Sequence, residues 1–302
     1  MSVLENTIIK DFTFTKSETD SNEHYHSQPS ISASGLKLMK QSPAHYREEK
    51  DNPKGQTDAM YFGELYHTFI LENERFYKEV TVVDSEERPE KRYGMSAKAN
   101  AAWFESFTNP ITKETHEQLK RMREVLFRHP YARALLTKGE AEHSYYFELD
   151  IGASIPVKAR FRADNVRHDK RIIVDLKTAA DASQDGFKKA AANFDYQIQA
   201  ALYSDLMELA TGQTLGYDFF FVVQEKAPPY CFGIYQASPQ FLAVGKYEYE
   251  LLLMLYAYCE EKNIWPGYQI WTDNKYGVNS LDLPPWSIKE MEYFTPEYWK
   301  SR

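Results

Sequence analysis

The chain has 302 residues, 43% of them apolar and 15% aromatic, enough to bury a sizeable core in one large domain or two small ones. Forty-four acids against 36 bases give a formal charge of −8, which excludes a generically basic nucleic-acid coat but not a locally basic groove in an acidic body. The two cysteines, Cys231 and Cys259, cannot supply a disulfide framework or the thiolates of an iron–sulfur cluster, and they suit a reducing cytoplasm.

Residues 1–29 are polar, with a run of Ser, Thr, Asp, Asn and His through Thr15–Ser30, and read as a flexible N-terminal arm with no signal-peptide h-region. Order is expected from Ile31, and 30–302 reads as a single domain. Ser32 caps a helix over Ala33–Lys40, and Ser42-Pro43 opens another over Pro43–Glu49. A third helix, about Ala59–Glu72, carries Phe62, Leu65, Tyr66, Phe69 and Ile70 at helical spacing. After a charged loop at 84–95, helices are expected at Ser96–Phe107 and Lys113–Phe127. The pattern then turns extended: strands at His143–Leu149, Ile155–Val166 and Arg171–Leu176, with turns at Asp150–Ser154 and His168–Lys170. Helices follow at Gln184–Asn193 and Tyr196–Ala210, stopped by Gly212, then strands at Tyr217–Val223 and Tyr230–Tyr235 and a long helix over Pro239–Lys262. The tail, WPGYQIWTDNKYGVNSLDLPPW, is aromatic and turn-rich and is expected to wrap a core surface, with Trp265, Tyr268 and Trp271 able to wall a groove. This order of elements is an α/β or α+β layered arrangement. No stretch reaches the ~20 apolar residues of a membrane span. No GxxxxGK[ST] or GxGxxG loop is present, so neither ATP nor a nucleotide cofactor is expected.

The chemistry concentrates in Val157–Thr178, VKARFRADNVRHDKRIIVDLKT. Side chains alternate along a strand, so Lys158, Arg160, Arg162 and Asp164 share one face while Val157, Ala159, Phe161 and Ala163 share the other. On the next strand Arg171, Ile173, Asp175 and Lys177 line up in the same way. A hairpin about His168–Lys170 would gather both carboxylates and several cations on one surface. Two carboxylates from adjacent strands suit a hard divalent cation such as Mg²⁺ or Mn²⁺. A lysine two residues past the second carboxylate reaches the same place and can stabilise charge developing on a phosphate. Taken alone, the segment fits a solvated charged face equally well.

Further residues decide. The third helix reads FGELYHTFIL and a later one DYQIQAALYSDL, with Gly63 and His67 four apart and Gln199 and Tyr203 four apart. Together with Asp164 and Asp175-Leu176-Lys177, and with ISASGLKLMKQSPAHY at 31–46, WPGY and LDLPPW, these resemble the PD-(D/E)XK nucleases. The resemblance is to their RecB-like and RecE-like (exonuclease VIII) branch and runs over about 31–286. It implies a restriction-endonuclease-like α/β (α+β) core, a central mixed sheet flanked by helices. It implies His67, Asp164 and Asp175 as ligands of Mg²⁺ or Mn²⁺, joined by the Leu176 carbonyl, with Lys177 as the catalytic lysine. Glu142 matches an acid that precedes the metal strands and is expected at a second ion. Gln199 and Tyr203, one turn apart, would border the site and touch the substrate strand. Lys158, Arg160 and Arg162 are expected to contact DNA phosphates. Cys231 and Cys259 read as buried small hydrophobes rather than nucleophiles.

The resemblance implies an ATP-independent, divalent-metal-dependent deoxyribonuclease, a 5′→3′ exonuclease on double-stranded DNA ends. Such proteins work in recombination with a single-strand annealing protein of the RecT type and form rings, so a homo-oligomeric ring in the cytoplasm is expected. The alternatives are an endonuclease or single-strand nuclease of the same fold, a nuclease-fold protein that binds DNA without cutting, and a zinc hydrolase using His67. The intact Asp164–Asp175–Lys177 set speaks against the non-cutting protein, and the lack of an HExxH motif against the zinc hydrolase.

Overall fold

A computed structural model describes residues 7–84, 106–213, 215–268, 278 and 280–284 of the chain. It divides into two compact units, Met1–Ile264 and Trp265–Arg302. The fold is mixed α/β, and within the first unit the expected elements that fall among the described residues occur in the expected order from residue 31 onward, with further short elements between them. Helices Ala33–Gln41 (α2), Pro43–Asp51 (α3) and Asp58–Leu71 (α4) begin where Ser32, Ser42 and Thr57 accept backbone N–H groups of the first turn. Helix α4 is followed at once by a short helix Asn73–Glu79 (α5), which the sequence reading missed. The helix expected over Ser96–Phe107 and the loop at 84–95 fall largely outside the described residues, as does Trp271. Among the described residues no helix is long and apolar enough to cross a membrane.

The N-terminal segment is not a loose arm. Residues Asp11–Ser17 form strand β1, and Asn22–Ser27 form helix α1, capped by Ser21 and carrying the buried Tyr25. Strand β1 pairs antiparallel with Ser144–Asp150 (β5), which pairs antiparallel with Val157–Arg162 (β6). Short strands Thr81–Val83 (β2) and Pro110–Thr112 (β3) make a separate parallel pair. They lead into helices Lys113–Phe127 (α6) and Pro130–Thr137 (α7), the latter not expected from the sequence.

The larger sheet has five strands. Its centre is Ile172–Ala179 (β8), parallel to Asp218–Glu225 (β9) and antiparallel to Asn165–Arg167 (β7). Glu140–Ala141 (β4) and Phe232–Gln236 (β10) close its edges. Burial of both faces explains why β8 reads as an almost continuous apolar run, Ile172 to Leu176, interrupted only by Asp175. One face, through Val174, Leu176 and Val222, packs on Tyr66, Phe69, Leu119, Met122 and Leu135 of α4, α6 and α7. On the other face Phe219 and Phe221 meet Phe187, Tyr196, Tyr203 and Phe241, which lie on helices Gln184–Asn193 (α8), Tyr196–Thr211 (α9) and Pro239–Lys262 (α10). The result is a helix–sheet–helix layering in which both faces of the central strands leave water. Gly212 ends α9 in the left-handed conformation (φ 65°), as its position in the sequence suggests.

Candidate metal centre

The single strand expected over Ile155–Val166 is broken, and the break makes the site. Strand β6 ends at Arg162 and β7 begins at Asn165, while opposite them β4 ends at Ala141 and β5 begins at Ser144. Both members of the ladder thus open at the same level. Glu142 adopts a left-handed backbone (φ 56°), uncommon for a residue with a Cβ. Its N–H donates to the Asp164 carbonyl at 3.3 Å, a backbone bond across the gap. Released from the alternation of a regular strand, Glu142 and Asp164 present their carboxylates to the same space. Asp164 also compensates for the early end of β7: its Oδ2 accepts the Leu176 N–H at 2.6 Å, a donor on β8 beyond the last β7 pairing.

Helix α4 brings the third group. His67 Nδ1 lies 3.5 Å from Asp164 Oδ2 and 4.0 Å from Glu142 Oε1. The adjacent Tyr66 is fully buried, and its hydroxyl donates to Gln224 Oε1 on β9 at 2.5 Å. The Gln224 amide in turn donates to the carbonyls of Met122 and Tyr230 at 2.9 and 3.1 Å. This buried network ties α4 to the sheet one residue before the histidine. Apolar periodicity does not reveal these bonds, since Tyr66 and Gln224 read as core and strand.

One ligand atom from each of His67, Glu142 and Asp164 lies within 4.8 Å of the others. Cis donors around a Mg²⁺ ion stand about 3 Å apart, so the His67–Asp164 pair is close to ligating separation and Glu142 needs a small rotation. Burial, then the Asp164 carboxylate, pushes Glu142 well above the usual carboxylate range; burial raises Asp164 too, opposed by His67. Two crowded, desolvated carboxylates beside one imidazole make an oxygen-rich donor set that fits a hard divalent cation.

Asp175 and Lys177 lie on β8 immediately beside this cluster. Asp175 is buried at 2% exposure, and its Oδ2 meets the Lys177 ammonium at 2.6 Å while Oδ1 accepts from Gln199 Nε2 at 2.5 Å. Burial would lower the Lys177 pKa, but the Asp175 and Asp164 carboxylates reverse this and hold the ammonium above its ordinary range. The tightest ligand cluster therefore contains Glu142 where the sequence reading put Asp175. Leu176 contributes its N–H, to Asp164.

Residues 32–270 match the family described as "PDDEXK-like domain of unknown function (DUF3799)". The chain belongs to this PDDEXK-like family. In structure it is similar to a crystal structure of a "putative exonuclease" from Eubacterium rectale, with a TM-score of 0.58 and 16% sequence identity, covering 91% of this chain and 98% of that one. That likeness supports the restriction-endonuclease-like fold. No curated protein matches the sequence.

Against the PDDEXK-like frame, several expected substrate contacts need correction. Arg160 and Arg162 do not form an exposed cationic row. Each is only 8% exposed, because the N-terminal segment lies over that face of β6. Ile31 bridges to Ala159, and Arg160 Nη1 donates to the Gln28 and Ser30 carbonyls. Arg162 donates to Ser144 Oγ at 2.9 Å and Asn22 Oδ1 at 2.7 Å, with its guanidinium 4.3 Å from the Tyr25 ring centroid. Lys158 is exposed and lies 3.6 Å from Glu148. Tyr203 is buried, packed 5.0 Å from the Phe161 ring, and Gln199 is spent on Asp175. Cys231 is exposed; only Cys259 is buried.

Proposed function

We propose that the chain is a divalent-metal-dependent deoxyribonuclease. The convergence of His67, Glu142 and Asp164 at the strand break, with Asp175 and Lys177 beside them, carries the reading. His67, Glu142 and Asp164 would hold the ion, with Asp175 adjoining. Bound there, Mg²⁺ or Mn²⁺ supplies polarisation of a phosphoryl oxygen and a water of lowered pKa. The Lys177 ammonium would stabilise negative charge on the phosphoryl group, and its contact with Asp175, itself bonded to Gln199, supports this role. The partial burial of this set, with Asp175 almost wholly covered, strengthens these charge interactions relative to water.

Within that reading the substrate is double-stranded DNA ends, degraded 5′→3′ without ATP. This finer statement, with a cytoplasmic homo-oligomeric ring and a RecT-type annealing partner in recombination, is supported by the motif resemblance in Gly63, His67, Asp164, Asp175, Lys177, Gln199 and Tyr203. The test is digestion of 5′-labelled, 3′-labelled, nicked and closed circular DNA with Mg²⁺. Release of labelled nucleotides from linear duplex with circles left intact is the expected result. Cutting of circles makes it an endonuclease, and no cleavage of any DNA overturns the reading.

A further inference from the structure

The metal cluster opens into a cleft of about 1490 Å³ walled by α1 to α4 and by the α8–α9 junction. The cations lining it are paired within the protein, with one exception. Lys40 meets Asp195 at 2.6 Å and Glu248 at 2.8 Å, Lys50 meets Glu260 at 3.4 Å and Lys54 meets Glu49 at 3.8 Å. Arg75 is held by Glu72 and Glu79, and Arg160 by backbone carbonyls. Lys37, on the same face of α2 as Lys40, has no acidic partner among the described residues. Its ammonium stands 4.8 Å from the centroid of the Tyr196 ring, and Lys177 stands 5.2 Å from the same centroid. Two cations thus share one aromatic ring, within about 10 Å of each other.

Phe194 belongs to the same group. It is 59% exposed, lines the cleft rim, and stacks on Tyr196 with centroids 5.8 Å apart and planes 27° apart. An exposed ring alone means little. Here it continues an aromatic stack whose next ring carries a cation with no salt-bridge partner among the described residues, beside the residues assigned to phosphodiester chemistry.

We propose that Lys37 and Phe194 form a strand-binding subsite, the ammonium taking a backbone phosphate next to the one that is cut and the ring taking the face of a base. Charges on one DNA strand repeat every ~3.4 Å of helix axis, so Lys37 and Lys177 can meet phosphates of the same strand. A base stacks on any aromatic face without regard to sequence, which suits an enzyme that degrades DNA generally. Burial and then the Lys177 charge lower the Lys37 pKa to about 8, only partly opposed by the Asp175 and Asp195 carboxylates, so a phosphate in contact would favour the charged ammonium. The acidic body of the molecule is no obstacle, since only the cleft meets the strand.

The inference rests on the nuclease reading, and the experiment separates the two. Binding of fluorescent single-stranded and duplex DNA is followed by anisotropy in the full chain carrying Asp175→Asn, alone and with Lys37→Met, Lys37→Arg or Phe194→Ala. Lys37→Met is expected to raise Kd about tenfold and to flatten log K against log salt by ~0.7–0.9, one phosphate's worth; Lys37→Arg restores both. Phe194→Ala is expected to weaken binding about 5- to 150-fold, and an abasic site at the contacted position removes that difference. In the cleaving enzyme, Lys37→Met raises KM far more than it lowers kcat. Circular dichroism and melting curves confirm that each variant is folded; should Lys37→Met not fold, a salt slope for Phe194→Ala equal to the parent's, with affinity also equal, decides against the subsite. If the unmodified chain cuts DNA but the Lys37 and Phe194 variants bind with the parent's affinity and slope, the subsite is wrong and the nuclease stands. If the unmodified chain neither binds nor cuts, both fall.

Discussion

His67 Nδ1 and Asp164 Oδ2 stand 3.5 Å apart, although one lies on an early helix and the other at a break in the sheet. The two elements that bring them together are fixed independently: α4 by the Tyr66–Gln224 bond, the break by the Glu142 N–H to Asp164 carbonyl bond. Removing either ligand from this set should weaken a metal by at least the ~10–100-fold typical of outer-shell partners. Calorimetric titration with Mn²⁺ is therefore expected to show that loss in His67→Ala and in Glu142→Gln. In the parent, Mn²⁺ at 100 times its Kd should add about 2.7 kcal/mol of stability, and at the same Mn²⁺ concentration the variants should lose about half of it or more. Unchanged Mn²⁺ affinity in both variants would place the ion elsewhere.

Tyr66→Phe is expected to destabilise the fold by about 1–3 kcal/mol, because it leaves a wholly buried Gln224 Oε1 without its donor. Urea unfolding measures the loss. The same variant should also weaken Mn²⁺ binding, since the bond that seats α4 lies one residue from His67. Stability loss without any change in metal affinity would show that the network supports the core alone.

How much of this was legible in the sequence depends on range. The helices from Ala33 to Leu71 and from Gln184 to Lys262 carried caps and apolar periodicity, and they lie where those local signals put them. The Asp175-Leu176-Lys177 alternation likewise placed both charged residues on one side of β8. What failed was what depends on distant partners. β1 looks like a polar arm because Asp11–Ser17 is mostly exposed and is held by backbone pairing with β5, which leaves no apolar run to read. Alternation along β6 puts Arg160 and Arg162 on one face but does not show what covers that face, and Asn22, Tyr25, Gln28 and Ser30 occupy both guanidinium groups. The break at Ala163–Asp164 is set by cross-strand geometry, and there Glu142, expected from the sequence at a second ion, shares one space with His67 and Asp164.

Arg162→Met tests that correction. The residue is buried and bonded to Ser144 and Asn22, so its loss leaves two polar partners unmet and should cost about 2–4 kcal/mol. Being covered, it should leave the salt dependence of DNA binding as in the parent, in contrast to a phosphate-contacting lysine. Denaturation and anisotropy together read both. A salt slope reduced by about one in Arg162→Met would return it to the DNA surface.

The cysteines offer a check that involves no activity. Cys231 is exposed, whereas Cys259 is fully buried in α10 and burial raises its thiol to about 11. Near neutral pH a limiting alkylating reagent should modify the native chain once, at Cys231, and twice only after denaturation. Intact-mass analysis followed by peptide mapping distinguishes these outcomes; rapid modification of Cys259 in the folded state would mean that α10 packs less tightly than described.

Glu140 provides a pH-dependent clip at the edge of the sheet. Its Oε2 meets Lys16 of β1 at 2.7 Å and the rings of His143 and His168 at 3.1 Å each, so one carboxylate joins β1, β4 and the turn after β7. Burial would raise its pKa, but the Lys16 and His168 contacts outweigh it and hold the group at about 2, below the ordinary 4.5. A carboxyl depressed in the folded state stabilises above its unfolded pKa and loses that contribution as pH falls through the folded one. The window here runs from about 4.5 down to about 2, throughout which Lys16 keeps its charge. Because Glu140 is about a third exposed, solvent screening limits the effect to about 1 kcal/mol. Glu140→Gln should therefore unfold at lower urea than the parent near neutral pH, with the two midpoints converging as the solution is acidified through that window. A gap that persists at the acidic end would show that the side chain contributes through packing and neutral hydrogen bonds rather than through its charge.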